Sequence, residues 1–231
     1  MLFAAGFGTR MGPLTQSRPK PLISVAGRPL IDHALALADD AGISRMVANV
    51  HYLADQIETH LADLPISISD ERAQILDTGG GLLAALPLLG PGPVMTLNTD
   101  AVWTGQNPLT QLDAAWDDQT MDVLFLVLPA EQAMGTTGRS DFVLDDDGRI
   151  TWAKGRSGCL YLGAQIINPS ILSQDAGPAF SLHGPWTRAI EAGRAFGVVH
   201  KGGWCDVGHP GGIAVAEAML ETDQDIAHVR N

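Results

Sequence analysis

Residues 3–22, FAAGFGTRMGPLTQSRPKPL, combine Gly6, Gly8 and Gly12 with Arg10, Arg18 and Lys20 and contain no carboxylate. Glycines in a turn after a strand let backbone N–H groups approach an anion, because no Cβ stands in the way. Cations following such a loop suggest a chain of phosphates. The spacing is not the dinucleotide fingerprint, whose third glycine would fall at Met11, and no Gly-Lys-Ser/Thr follows to make a P-loop. A guanidinium at Arg10 can clamp two phosphate oxygens while an ammonium at Lys20 acts on another. Pro19 and Pro21 flank Lys20, disfavour helix and predict a stiff extended mount for it.

Two carboxylates complete this chemistry. Asp100 ends the apolar run PVMTLN, which places it at the carboxyl edge of a buried strand, where open α/β sheets bind ligands. Asp206 stands at a similar transition in GGWCDVG. Two acids from distant points of the chain can share one Mg²⁺ with triphosphate oxygens, as suits an ion that dehydrates reluctantly. A third glycine cluster, Thr78-Gly79-Gly80-Gly81, opens a helix after ERAQILD. Glycines at a helix start cost stability, so they point to a ligand brought close to the backbone.

The elements that must position these residues follow from hydrophobic period. Residues 1–5 predict a short buried strand, PLIDHALALADDAG a helix, RMVANV a near-continuous apolar strand, LADQIETHLADL a second helix and ISIS a third strand. GGLLAALPLL, PVMTLN, PLTQLDAAWDD and MDVLFLVL continue the alternation of helix and strand, which predicts parallel strands covered by helices. From about Gly135 the rhythm changes: DFVLDDDGRITWA predicts a β-hairpin and CLYLGAQIIN a further strand. The run Asp145 to Asp147 lacks the alternating ligands and distal Glu of a calcium loop and reads as a solvated turn. A helix around WTRAIEAGR, a strand FGVVH and a closing helix fill the last third, with TDQDIAHVRN peripheral.

The formal net charge of −12 excludes a general binder of nucleic acid or of an acidic membrane surface, since both require a broad positive field. The basic exception is local: Arg10, Arg18, Lys20 and Arg28 precede the first acid, Asp32. Cys159 and Cys205 are far apart and lack a metal-ligand spacing, which suits free thiols in a reducing cytoplasm. MLFAA lacks the charged lead-in of a signal peptide, and no run approaches the ~20 apolar residues of a membrane span. The length of 231 residues suits one domain.

These segments together, from AAGFGTRM and RPKPL through LDTGGGLLAALPLL, LNTDAVW and YLGAQI to GGWCDVGHPGG, resemble the sugar-1-phosphate nucleotidyltransferases of the GT-A-like superfamily. The resemblance covers nearly the whole chain and is nearest to short bacterial members lacking a C-terminal β-helix. It implies one domain with a Rossmann-like α/β fold, a mainly parallel sheet flanked by helices with a small β-hairpin portion at the sugar, residues 1–130 mainly binding the nucleotide and residues 131–231 carrying the sugar-binding portion and the second metal ligand. It also implies Mg²⁺ as cofactor, a nucleoside triphosphate and a sugar-1-phosphate as substrates, and a monomer. The loop Ala4, Ala5, Gly6 and Gly8 would cradle the nucleotide, with Arg10 and Lys20 on its phosphates and Gln74, Gly79 and Gly80 at the base or ribose. Asp100 and Asp206 would bind the metal, and Gly163 and Asp77 would lie near the sugar. Phe7, Asp77 and Thr99 depart from the commoner pattern, in which a small, polar or basic residue, a Glu and a Gly stand at those positions. His183 and Trp186 receive no role. Relatives acting on glucose-1-phosphate, mannose-1-phosphate or molybdopterin, and a non-catalytic nucleotide-sugar sensor, remain as alternatives.

Overall fold

Apolar runs such as MVANV and VLFLVLP suit strands covered on both faces, and the chain uses them so. The computed structural model describes residues 1–136, 138–172 and 177–229, the last six by backbone alone. The chain runs β1 (Leu2–Phe3), β2 (Ser24–Val25), β3 (Arg28–Pro29), α1 (Leu30–Asp40), β4 (Met46–Val50), α2 (Ala54–Leu61), β5 (Ile66–Asp70) and α3 (Asp77–Leu89). It continues through β6 (Val94–Asn98), β7 (Ala101–Trp103), α4 (Pro108–Ala115), β8 (Val123–Pro129), β9 (Phe142–Leu144), β10 (Ile150–Trp152) and β11 (Cys159–Ile167). The last elements are α5 (His183–Glu191), β12 (Ala195–Val199), β13 (Trp204–Asp206) and α6 (Pro210–Val229), which absorbs most of the polar tail; Arg230 and Asn231 lie outside the described residues.

The site-bearing half of the sheet, in order β5-β4-β1-β6, is wholly parallel. Beyond it β11 pairs antiparallel with β6 and β8, and β12 returns parallel to β8. The hairpin β9–β10 attaches at the start of β11, as the sequence predicts. A register shift in β11 between Tyr161 and Gln165 marks a bulge around Gly163, whose φ of 80° lies in the left-handed region.

Helices cover both faces. In α1 the residues Ile31, Ala34, Leu35 and Ala38, at helical spacing, bury against one face beside side chains of α2 and α4. Leu82 and Ala85 of α3 and Ala189 of α5 bury against the other. A third apolar cluster joins Met11, Val25, Val102, Cys205 and Met219, so the glycine loop, the pair β7–β13 and α6 pack as one unit. Among the described residues no helix is long and apolar enough to cross a membrane.

Two local expectations are corrected. The first strand ends at Phe3, because the Ala4 N–H turns away from the ladder and donates to Asn49 Oδ1 at 2.8 Å. Lys20 is not on an extended mount: Pro19 is extended, but Lys20–Leu22 forms a 3₁₀ turn closed by Ile23 N–H on the Lys20 carbonyl at 3.0 Å. Pro21 is tolerated there because its missing N–H falls in the first turn, where no internal partner is needed.

The buried His200 imidazole fastens the segment between β12 and β13. Gln111 donates to its Nδ1 at 2.9 Å while the Gln111 carbonyl oxygen accepts from Lys201 N–H at 2.8 Å, so Nε2 carries the proton and faces the Thr104 carbonyl. Burial holds the His200 pKa below its ordinary value. The unfolded chain then binds the proton more readily than the folded one, and stability falls as pH drops through the ordinary histidine pKa of about 6.5. Thermal unfolding followed from pH 7.5 to 5.5 should show Tm falling, and His200→Asn should flatten that dependence. An unchanged slope in the variant would remove His200 from this account.

Candidate active site

The carboxyl ends of β1, β4 and β6 lie side by side and open into a cavity of about 250 Å³. Its walls include Ala4, Ala5 and Gly6 from the loop after β1, Lys20, and Asp100 after β6. The sheet edge thus gathers residues far apart in sequence.

Gly8 keeps the loop tight. Its φ is 64°, and a Cβ there would stand 2.9 Å from both Lys20 Cβ and Thr15 Cγ2. The Thr15 hydroxyl donates to the Gly8 carbonyl at 3.0 Å, and Tyr52 donates to the Thr15 carbonyl at 2.7 Å. Gly6 differs: a Cβ there would meet nothing within 4 Å. Phe7, 45% exposed, leans edge-on against His51 with ring centroids 5.1 Å apart.

Lys20 reaches Asp100 with Nζ 2.8 Å from Oδ2, and its side chain is only 10% exposed. Asp206 stands across the β7–β13 ladder, where it pairs with Ala101, and the Val207 N–H donates to the Asp100 carbonyl at 2.9 Å. Arg10 is 68% exposed and brings Nη1 to 3.8 Å from Asp206 Oδ2, a loose pair that leaves most of the guanidinium open to a ligand. Burial, then the Asp100 charge, push the Asp206 carboxyl above its ordinary range, while Lys20, Arg10 and His209 pull it back. Two carboxylates that repel one another are a natural cation seat. Among the described residues no three His, Cys, Asp or Glu side chains gather as a metal cluster. Asp100 and Asp206 offer two carboxylates to a Mg²⁺ whose other ligands would be phosphates and water, the usual pattern for that ion.

The remaining predicted residues fall in three places. Asp77 and Thr78 line the cavity; Asp77 is left-handed, φ 60°, and its short side chain accepts from Thr78 N–H at 2.6 Å. Gly79 and Gly80 donate their N–H groups to the Phe180 carbonyl at 2.8 and 3.0 Å, and a Cβ on either would overlap Phe180 or Pro178. The close approach these glycines permit is thus taken by the chain itself in this structure. Gln74 is exposed in the turn before α3. Gly163 lies against Asn98, which lines the cavity: a Cβ there would come within 2.7 Å of the Asn98 amide. His183 stacks on Trp152 with centroids 4.3 Å apart, and Trp186 packs against Tyr161 and Phe125. Cys159 and Cys205 are free thiols.

Sequence reasoning passes over Asn49 and Glu71, both buried and both lining the cavity. The signal is present: an amide inside the apolar strand MVANV, and an acid just beyond the next strand in the parallel order.

Residues 1–210 match the family model described as the MobA-like NTP transferase domain. The chain is 40% identical to the N-acetylmuramate alpha-1-phosphate uridylyltransferase of Caulobacter vibrioides, over 95% of this chain and 96% of that protein. It is 34% identical to the enzyme of the same name from Neisseria meningitidis serogroup B, over 95% and 96% respectively. HddC from Yersinia pseudotuberculosis, a solved structure, superposes with a TM-score of 0.76 over 95% of this chain and 97% of that one, at 20% identity, a likeness of fold. The chain belongs to the MobA-like NTP transferase family and is a nucleotidyltransferase.

Proposed function

We propose that this enzyme joins UTP to N-acetylmuramate-1-phosphate, releasing pyrophosphate, with Mg²⁺ held by Asp100 and Asp206, in the reuse of cell-wall sugar. The observation that carries the site assignment is the Lys20–Asp100 pair in the wall of the cavity that Ala4, Ala5 and Gly6 also line, with the Arg10–Asp206 pair beside it. Near-full-length similarity to two N-acetylmuramate alpha-1-phosphate uridylyltransferases supports the choice of substrates.

A phosphate oxygen of the sugar-1-phosphate attacks the α-phosphorus of the triphosphate in line. The bond between the α-phosphorus and its bridging oxygen breaks, and pyrophosphate leaves with the electron pair. The attacking group is already an anion, so neither a side-chain nucleophile nor a covalent enzyme intermediate is needed. The barrier lies in bringing anions together and holding the charge that gathers on the leaving group. Lys20, nearly buried in the cavity wall, and Arg10, exposed and only loosely paired, meet that charge, and the open space beside Gly6 gives the phosphates room to approach. Mg²⁺, when bound, neutralises phosphate oxygens and orients them. Arg10, Lys20, Asp100 and Asp206 sum to zero charge, so a divalent cation would make the site attractive to polyphosphate.

A panel of sugar-1-phosphates against UTP, dTTP, CTP and GTP, read by pyrophosphate release, tests the assignment. Release should favour UTP with N-acetylmuramate-1-phosphate, and Lys20→Ala should lower turnover by ~10²–10³. Release with another pair would replace the substrates and keep the chemistry; nucleotide binding without release would favour a sensor.

The two loop glycines should respond differently to alanine. Gly8→Ala forces a left-handed alanine against Lys20 and Thr15, costing about 1–2 kcal/mol for the backbone alone, and should lower Tm. Gly6→Ala should leave Tm unchanged and weaken UTP binding, measured by calorimetry, because its Cβ stands where phosphate would lie. Equal UTP affinity in Gly6→Ala would remove Gly6 from the phosphate cradle.

A further inference from the structure

Glu71 is a carboxylate for which the chemistry above has no use. It is 2% exposed, lines the cavity, and among the described residues its hydrogen-bond partners are neutral. Oε1 accepts from Asn49 Nδ2 at 2.7 Å and Oε2 from the Leu76 N–H at 3.0 Å. Burying such a group is costly, so its hydrogen bonds must be held in place. Asn49 is fixed in turn: its Oδ1 accepts from Ala4 N–H, which leaves its amide hydrogens facing Glu71.

The result is one chain of three hydrogen bonds from Ala4 through Asn49 and Glu71 to Leu76. One end is the first residue of the glycine loop and the other the residue before α3, so both walls of the cavity hang on it. The backbone carbonyl of Glu71 is engaged as well, accepting from His51 Nδ1 at 2.7 Å and from Gln74 N–H at 3.0 Å. Gly81 makes room for the chain: a Cβ there would stand 2.6 Å from Glu71 Oε1 and 3.0 Å from Asn49 Nδ2. The α3 N-terminus beside Glu71 favours a negative charge at that point.

We propose that Asn49 and Glu71 are positioning residues for the nucleotide, setting the spacing between the glycine loop and the loop that opens α3. The proposal rests on the nucleotidyltransferase reading of the cavity. It predicts dependence on the order of donors and acceptors along the chain, beyond mere filling of space.

The test moves the charge from one side chain to its neighbour. In Glu71→Gln, with the introduced carbonyl oxygen serving Leu76, an amide faces the amide of Asn49, donor to donor. In Asn49→Asp two carboxylates meet. In the double variant the carboxylate now at position 49 accepts from both Ala4 N–H and the amide now at position 71. The carbonyl oxygen of that amide accepts from Leu76, so all three hydrogen bonds are restored. Kinetics with Mg²⁺ and UTP, or whichever triphosphate the native protein turns over, should show KM raised about tenfold in each single variant, with kcat changed less. The double variant should return to within about threefold of native. Native KM in the single variants, a fall in Tm without a change in KM, or a double variant no better than the worse single would overturn the proposal. A single variant that fails to fold leaves the double to decide: folding with near-native KM supports the proposal, and misfolding or a tenfold higher KM refutes it. If the native protein binds no triphosphate, this proposal and the nucleotide reading both fall; native binding with indifferent variants removes this one alone.

Discussion

An ammonium and a carboxylate 80 residues apart in sequence meet at 2.8 Å, and the arrangement of the sheet is what allows it. Asp100 follows β6, and Lys20 lies in the long connection after β1. Those two strands are parallel neighbours, so their carboxyl ends share one edge. The β1–β6 register, Leu2 opposite Leu97 and Phe3 opposite Asn98, sets how far each connection must travel. A one-residue slip would turn the alternating side chains to the opposite face and bury the wrong set. The site is therefore a consequence of strand pairing before it is a consequence of any local motif.

The second carboxylate is held by a different device. Asp206 arrives on a separate two-stranded ladder, β7–β13, whose apolar backing is the cluster of Met11, Val102, Cys205 and Met219. Met11 belongs to the glycine loop, so the loop and the Asp206 strand share a core. Packing buries Asp206 and brings the Asp100 charge near it, and the two together, burial first, raise the Asp206 pKa. Arg10 and Lys20 offset that repulsion in the free protein. A cation brought with polyphosphate would offset it more fully, which is how a self-neutral site can still prefer an anionic ligand.

The glycine loop, Asp100 and Asp206 are legible in the sequence because each sits at a break between an apolar strand and small residues, a signal confined to a few adjacent positions. The alternation of helices and strands is legible for the same reason, since period is local. The pairing of Asn49 with Glu71 is not, because it depends on which strands adjoin and on the Ala4 N–H leaving the ladder after β1 for Asn49. The turn at Lys20 escapes sequence reasoning because the prolines that disfavour helix are compatible with one 3₁₀ turn. Thr78 to Gly81 are readable as a demand for close approach, but only the structure tells that Phe180, Pro178 and Glu71 make that approach in the free protein.

A fold shared at 20% identity with HddC cannot by itself decide which sugar or base is taken. The cavity is lined by side chains at strand ends, Phe3, Asn49 and Asn98, and by side chains on the connections between strands. Here those connections carry their own commitments. Asp77 turns its short side chain back onto Thr78 N–H and so holds a left-handed backbone at the cavity wall. Phe7 ties the glycine loop to His51, and His51 ties to the Glu71 carbonyl. The glycine loop and the turn that leads to Asp77 are thus linked twice, once through Asn49 and once through Phe7 and His51. These contacts join the two walls of the cavity into one packed unit, so neither wall is positioned by its own local sequence alone.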